Sequence, residues 1–129
     1  EPADIDEVER ARGAADRRVI DVRAGFRYRG EREPFDPIAG HIPGARNAPY
    51  ADNLHADGTF KTADELRALY AAVLDGVPPA QTIVHCGSGV TACHTLLALD
   101  RAGLSGAKLY VGSWSEWCRR PDRAREPAT

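Results

Sequence analysis

Cys86 is followed by Gly87-Ser88-Gly89-Val90-Thr91, and this run of small residues beside a thiol holds the most chemistry in the sequence. The glycines let backbone N–H groups turn toward a common point. A helix-like stretch, Ala92 to Ala102, follows directly, so an anion above Cys86 would meet several N–H donors and the positive end of a helix. A thiol in such a place ionises more readily than a free cysteine, whose pKa is roughly 8.5. The pattern predicts a nucleophilic thiolate. A buried structural cysteine at a strand end is the competing reading, and it leaves Gly-Ser-Gly without a purpose.

The elements that must carry this loop are legible from apolar periodicity and punctuation. Thr82-Ile83-Val84-His85 is a short β-branched run, apolar enough for burial on both faces of a parallel sheet, and it delivers Cys86 at its carboxyl end. Arg18 to Val22 reads as a second strand. Thr62-Ala63-Asp64-Glu65 matches a capping box, Leu66, Leu69, Tyr70 and Val73 follow at helical spacing, and Gly76 with Pro78-Pro79 ends the helix. A first, weakly amphipathic helix is predicted from Asp4 to about Ala14, with acidic residues at its start. A short extended piece is expected at Arg46 to Ala48, a last strand over Ala107 to Val111, and a final short helix beyond Gly112. Strands alternating with helices, joined by crossovers long enough to be right-handed, predict an α/β fold.

Residues 23–40 dissolve into Arg, Glu, Gly and Pro. This long irregular segment starts at a strand's carboxyl end, where open α/β sheets bind ligands. Arg23, Arg27, Arg29 and Arg32 crowd its first half.

Composition narrows the function classes. At 129 residues the chain has room for one core. A formal charge of −2, with 28% charged residues of both signs, argues against a nucleic-acid or membrane-surface partner. No stretch approaches the ~20 apolar residues of a bilayer span, and Glu1 to Arg12 lacks a signal-peptide core. Three cysteines without paired short spacings predict reduced thiols and a cytoplasmic setting, and no zinc-ligand spacing predicts a metal.

Three stretches together resemble the rhodanese (sulfurtransferase) family: Asp21-Val22-Arg23, Gly40-His41-Ile42-Pro43-Gly44-Ala45, and the Cys86 loop followed by Gly112-Ser113-Trp114-Ser115-Glu116-Trp117. They stand in the family's order. The resemblance implies a rhodanese-like three-layer α/β fold, with a parallel sheet flanked by helices. Cys-Gly-Ser-Gly-Val-Thr resembles the loop of the catalytic carboxyl-terminal domain of mercaptopyruvate sulfurtransferases, whereas thiosulfate-preferring relatives carry basic residues where this sequence has Gly87 and Ser88. The implied chemistry is transfer of a sulfane sulfur from 3-mercaptopyruvate or thiosulfate, through a covalent Cys86 persulfide and without a cofactor, to a thiol, cyanide or thioredoxin-like acceptor. In that scheme Cys86 is the nucleophile and Ser88 relays a proton. Arg27 holds the donor carboxylate, and the N–H groups of Gly87, Gly89, Val90 and Thr91 hold the persulfide anion. Arg29 and Arg32 are candidates for a second carboxylate contact, since Phe35 stands where many relatives have an arginine. Arg23 and Asp21 are expected to brace the loop rather than touch substrate. The resemblance further implies a partner amino-terminal rhodanese domain. Residues 1–16 then form a linker end and first helix, 17–118 the rhodanese domain, and 119–129 a frayed tail.

Other residues fit the core better than the chemistry. His85, on the strand, points away from the face of Cys86 and reads as a hydrogen-bonded core histidine. Cys93 reads as a packed small hydrophobe, and Trp114 and Trp117 as core and domain-contact residues. A cysteine phosphatase or arsenate reductase is another enzyme reading, but phosphoryl transfer through cysteine needs an arginine six positions after the nucleophile, and residue 92 is alanine. A non-catalytic, partner-binding rhodanese module is the remaining alternative; such modules usually lose the cysteine.

Overall fold

The computed structural model describes residues 2–87 and 90–126, with the backbone alone at Val90. Four parallel strands form one sheet in the order β2-β1-β3-β4, where β1 is Arg18–Asp21, β2 Arg46–Asn47, β3 Thr82–His85 and β4 Lys108–Leu109. Among the described residues the α-helices are α1 (Ile5–Arg12), α2 (Gly25–Tyr28), α3 (Ala63–Leu74), α4 (Val90–Arg101) and α5 (Ser113–Trp117). The two central strands pair in full register, Arg18 with Thr82 through Asp21 with His85.

Alternation along these strands sorts the core into two layers. Val19 and Ile83 point to one face and pack with Val8 of α1 and with Trp114 and Trp117 of α5. Ile20 and Val84 point to the other and pack with Leu66 and Tyr70 of α3 and Leu99 of α4. Strand side chains alternate between faces, so both layers need apolar residues at successive positions, which is why β3 is buried at all four. The result is the expected three-layer α/β arrangement.

Helix α3 starts as its sequence requires. The Thr62 hydroxyl accepts from the Glu65 N–H at 3.2 Å, and the Thr62 N–H donates to the Glu65 carboxylate at 2.8 Å. Gly44 ends the turn before β2 with φ +89°, and a Cβ there would lie 2.2 Å from the Arg12 carbonyl oxygen. Both conformation and space exclude a side chain. Gly44→Ala should therefore lower stability by about 2 kcal/mol or more, seen as a lower urea midpoint at unchanged m value.

Several expected boundaries shift. β1 stops at Asp21 and β4 shrinks to two residues, because the chain leaves the sheet to build loops at the strands' carboxyl ends. The segment 23–40 contains one helical turn, α2, which has no apolar periodicity to announce it. The tail is not frayed through Glu126. The Arg123 guanidinium lies 5.7 Å from the Trp117 ring and bonds Asp6 at 2.8 Å, the Trp117 indole donates to the Ala124 carbonyl, and the Glu126 N–H donates to the His41 carbonyl. Trp114 and Trp117 are both buried within this chain, and Cys93 is exposed on α4 rather than packed. No helix among the described residues is long and apolar enough to cross a membrane.

Candidate active site

Cys86 leaves β3 at the carboxyl edge of the sheet and is 1% exposed. The chain from Tyr110 to Ser115 holds it from behind. The Cys86 N–H donates to the Ser113 hydroxyl at 3.1 Å, and that hydroxyl donates to the Tyr110 carbonyl at 2.8 Å. The Trp114 N–H donates to the Cys86 carbonyl at 2.9 Å, and the Ser115 N–H to the Gly87 carbonyl at 2.8 Å. Ser113 makes these contacts with φ +55°, a conformation that costs a non-glycine residue energy and is kept where the surroundings demand it. A peptide unit is planar and trans, so a Cys86 carbonyl pinned on α5 aims the Gly87 N–H the opposite way. With the Cys86 and Gly87 carbonyls both drawn toward α5, the opposite side of the loop start is left to the Gly87 N–H.

Arg27 approaches that opening. A Cβ built on Gly87 would lie 3.0 and 3.1 Å from the two terminal guanidinium nitrogens of Arg27, so glycine at 87 is what admits the arginine. Glu33 and Asp36 hold the guanidinium: Nε donates to Glu33 at 3.3 Å, and Nη2 to Glu33 at 3.0 Å and to Asp36 at 3.3 Å. Nη1 makes no hydrogen bond among the described residues and has two N–H donors to offer an anion. Glu33 accepts further from the N–H groups of Phe35 and Asp36. Burial alone would raise its pKa, and these bonds with Arg27 outweigh burial and lower it.

A cleft of about 470 Å³ opens here, lined by Arg23, Phe26, Arg27, Arg32, Phe35 and Thr91 among others. Arg27, Arg32 and Thr91, three of the sequence candidates, thus line one cleft, and Arg27 also lies against Gly87. Arg29 does not join them; it is exposed and paired with Glu31 at 2.7 Å. Arg23 reaches the cleft wall but is spent beneath it, bonding Asp21 at 2.6 Å and the Gly40 carbonyl at 2.7 Å, with its guanidinium 4.9 Å from the Trp114 ring. Asp21 is fully buried, which by itself raises its pKa. His85 and Arg23 reverse that, leaving the carboxyl below its ordinary value. Burial drives His85 down toward the neutral form against the pull of Asp21, so the Arg23 bonds carry most of the difference. His85 is indeed a core histidine, its Nδ1 3.1 Å from the Cys86 carbonyl oxygen. Ser88, Gly89 and the Val90 side chain lie outside the described residues.

Residues 4–120 match the model of the rhodanese-like domain. The chain belongs to the rhodanese-like domain family. It is 51% identical over 105 residues to a protein of Pseudomonas aeruginosa named a probable 3-mercaptopyruvate sulfurtransferase, covering 81% of this chain and 37% of that protein. It is 43% identical over 112 residues to SseB of Mycobacterium tuberculosis, named a candidate thiosulfate sulfurtransferase, covering 86% of this chain and 38% of that one. A solved 3-mercaptopyruvate sulfurtransferase from Leishmania major superposes with a TM-score of 0.75 at 31% identity, over 93% of this chain and 33% of its own. The chain thus spans about a third of the length of these rhodanese-family relatives.

The arginines of this rhodanese-like site, and Asp21 beside Arg23, stand out in the sequence; the partners of Arg27 do not. Glu33 and Asp36 look like loop charges until the fold sets them against Arg27. The available signal was an excess of arginine in a segment destined for partial burial, which demands carboxylates nearby.

Proposed function

We propose that this chain is the catalytic portion of a sulfurtransferase, in which Cys86 carries the sulfur and Arg27 binds the donor's carboxylate. The observation that carries this reading is the placement of Gly87: its carbonyl is held from behind by Ser115, and its open face admits Arg27 next to the nucleophile. The Cys86 thiolate attacks the mercaptopyruvate sulfur. The carbon–sulfur bond breaks with its electron pair passing to carbon as the enolate of pyruvate, and the thiol proton converts this to pyruvate. A Cys86 persulfide anion remains. An acceptor thiolate, or cyanide, takes its outer sulfur and regenerates the thiolate. In this reading Ser88 relays the proton, and the loop N–H groups of Gly87, Gly89, Val90 and Thr91 stabilise the persulfide. Arg32 is a second, outer cation for the donor. No cofactor takes part, and a reducing, cytoplasmic setting suits three cysteines that form no disulfide.

A partner rhodanese domain on the amino-terminal side belongs to the same proposal. Phe26, Phe35 and Tyr50, all lining the cleft, are 38%, 78% and 38% exposed. An apolar rim around a polar cleft is surface that another body covers. The relatives' greater length leaves room for such a body.

The test compares pyruvate release from mercaptopyruvate with sulfite release from thiosulfate, using cyanide as acceptor. Mercaptopyruvate is expected to be the better donor by kcat/KM, because Gly87 and Ser88 bring no charge and the paired Arg27 suits one carboxylate better than a compact dianion. A higher kcat/KM for thiosulfate overturns the donor assignment. Turnover of neither donor, even with an added amino-terminal rhodanese domain, overturns the function.

A further inference from the structure

Arg27, Asp36, Ser115 and Gly87 close a ring that ties the donor-binding cation to the nucleophile's loop. Arg27 Nη2 donates to Asp36 Oδ2 at 3.3 Å, and the Ser115 hydroxyl donates to Asp36 Oδ1 at 2.7 Å. The Ser115 N–H donates to the Gly87 carbonyl, and Gly87 lies against Arg27. Asp36 also accepts from Arg119 Nη1 at 3.2 Å, and its side chain is only 5% exposed. Three arginines, Arg23, Arg27 and Arg119, are thereby matched by three carboxylates, Asp21, Glu33 and Asp36, in one connected set of ion pairs. The set sums to zero. Arg32, the remaining arginine of the cleft, is exposed and screened by solvent.

We propose that Asp36 is a specificity-determining positioning residue: it fixes Arg27 beside Gly87 while cancelling its charge, so that the cleft discriminates against dianionic sulfur donors. The inference rests on the sulfurtransferase reading. A neutral set of ion pairs still offers the two N–H donors of Arg27 Nη1 to one carboxylate, which needs directed hydrogen bonds more than net charge. A dianion gains twice as much as a monoanion from any uncompensated positive charge, and here it finds none beneath the surface.

Asp36→Asn keeps an oxygen for Ser115 and removes the negative charge. The ratio of kcat/KM for thiosulfate to that for mercaptopyruvate should rise about threefold to tenfold, mainly through a lower KM for thiosulfate, and the rise should shrink as salt is added. Asp36→Glu should return the ratio toward its original value. Arg119→Gln, at a side chain 55% exposed, removes a positive charge from the same set and should move the ratio the opposite way. Damage to the fold lowers both donors together and leaves the ratio alone. A ratio unchanged in Asp36→Asn, or one that rises in Arg119→Gln, overturns the proposal; should Asp36→Asn fail to fold, Arg119→Gln decides it. Failure of the underlying reading looks different, because then unsubstituted protein takes sulfur from neither donor.

Discussion

Cys86→Ser should take up no sulfur. Unsubstituted protein treated with mercaptopyruvate or thiosulfate is expected to gain the mass of one sulfur atom. Cyanide should remove it, and Cys86→Ser should show no gain and lose at least about a thousandfold in turnover. The other thiols make the assignment sharp. Cys93 is exposed on α4, the helix that follows the Cys86 loop, and Cys93→Ser should retain the added sulfur. Cys118 is buried, and burial, with Asp36 adding to it, pushes its thiol up and keeps it protonated, which makes it a poor nucleophile. Persulfide on Cys118, or its survival in Cys86→Ser, would defeat the proposed mechanism. Digestion and peptide mass measurement distinguish the three positions directly.

The largest effect on stability should come from Arg23→Met. The Arg23 side chain is 1% exposed and the Asp21 side chain 0%, and they share three hydrogen bonds of 2.6 to 3.1 Å. Methionine fills similar volume but leaves the Asp21 carboxylate buried without its main partner, at a cost of about 3–5 kcal/mol. For a domain of this size that corresponds to a fall in Tm of more than about 10 °C. The Gly40 carbonyl and Glu33 lose a donor at the same time, so the cleft loop from Ala24 to Gly40 should loosen together with the fold. The double variant Asp21→Asn, Arg23→Met should recover part of the loss, because an amide costs less to bury than an unpaired carboxylate. A fall below 1 kcal/mol in Arg23→Met, read from urea midpoints, would show this buried pair to be dispensable. The pair also has a pH signature of known sign. Asp21 is lower in pKa when folded, so its contribution is present above the unfolded carboxyl value of 3.8 and is lost as pH falls through the folded value.

The loop that carries Cys86 was legible because its chemistry is local. A strand end, glycine, a thiol and a helix start lie within a few residues, and each has a positional preference that survives outside the fold. The same holds for the capping box of α3, whose two hydrogen bonds join residues three apart. The two-faced burial of β3 was likewise written in its residue types. Its boundaries, and those of β1 and β4, were less so, because where a strand stops depends on which neighbour continues the ladder.

Tertiary structure alone decided the electrostatics of the cleft. Arg23, Arg27, Arg29 and Arg32 are equivalent as letters in an irregular segment. The fold buries Arg23 against Asp21, aims Arg27 past Glu33 and Asp36 at Gly87, sets Arg32 on the rim and turns Arg29 out to Glu31. Asp36 meets Ser115 and Arg119 across some eighty residues of sequence. No periodicity encodes that meeting. Trp114, Trp117 and the segment 119–126 follow the same rule, being held by Ile38, His41, Ala124 and the acidic residues of α1 rather than left for another surface. The sequence by itself determined the glycine-flanked thiol at a strand end and the layered α/β frame, since propensity and periodicity are properties of short segments. Which charges cancel was decided by distances between residues far apart in the chain, because a Coulomb interaction depends on separation in space and on burial.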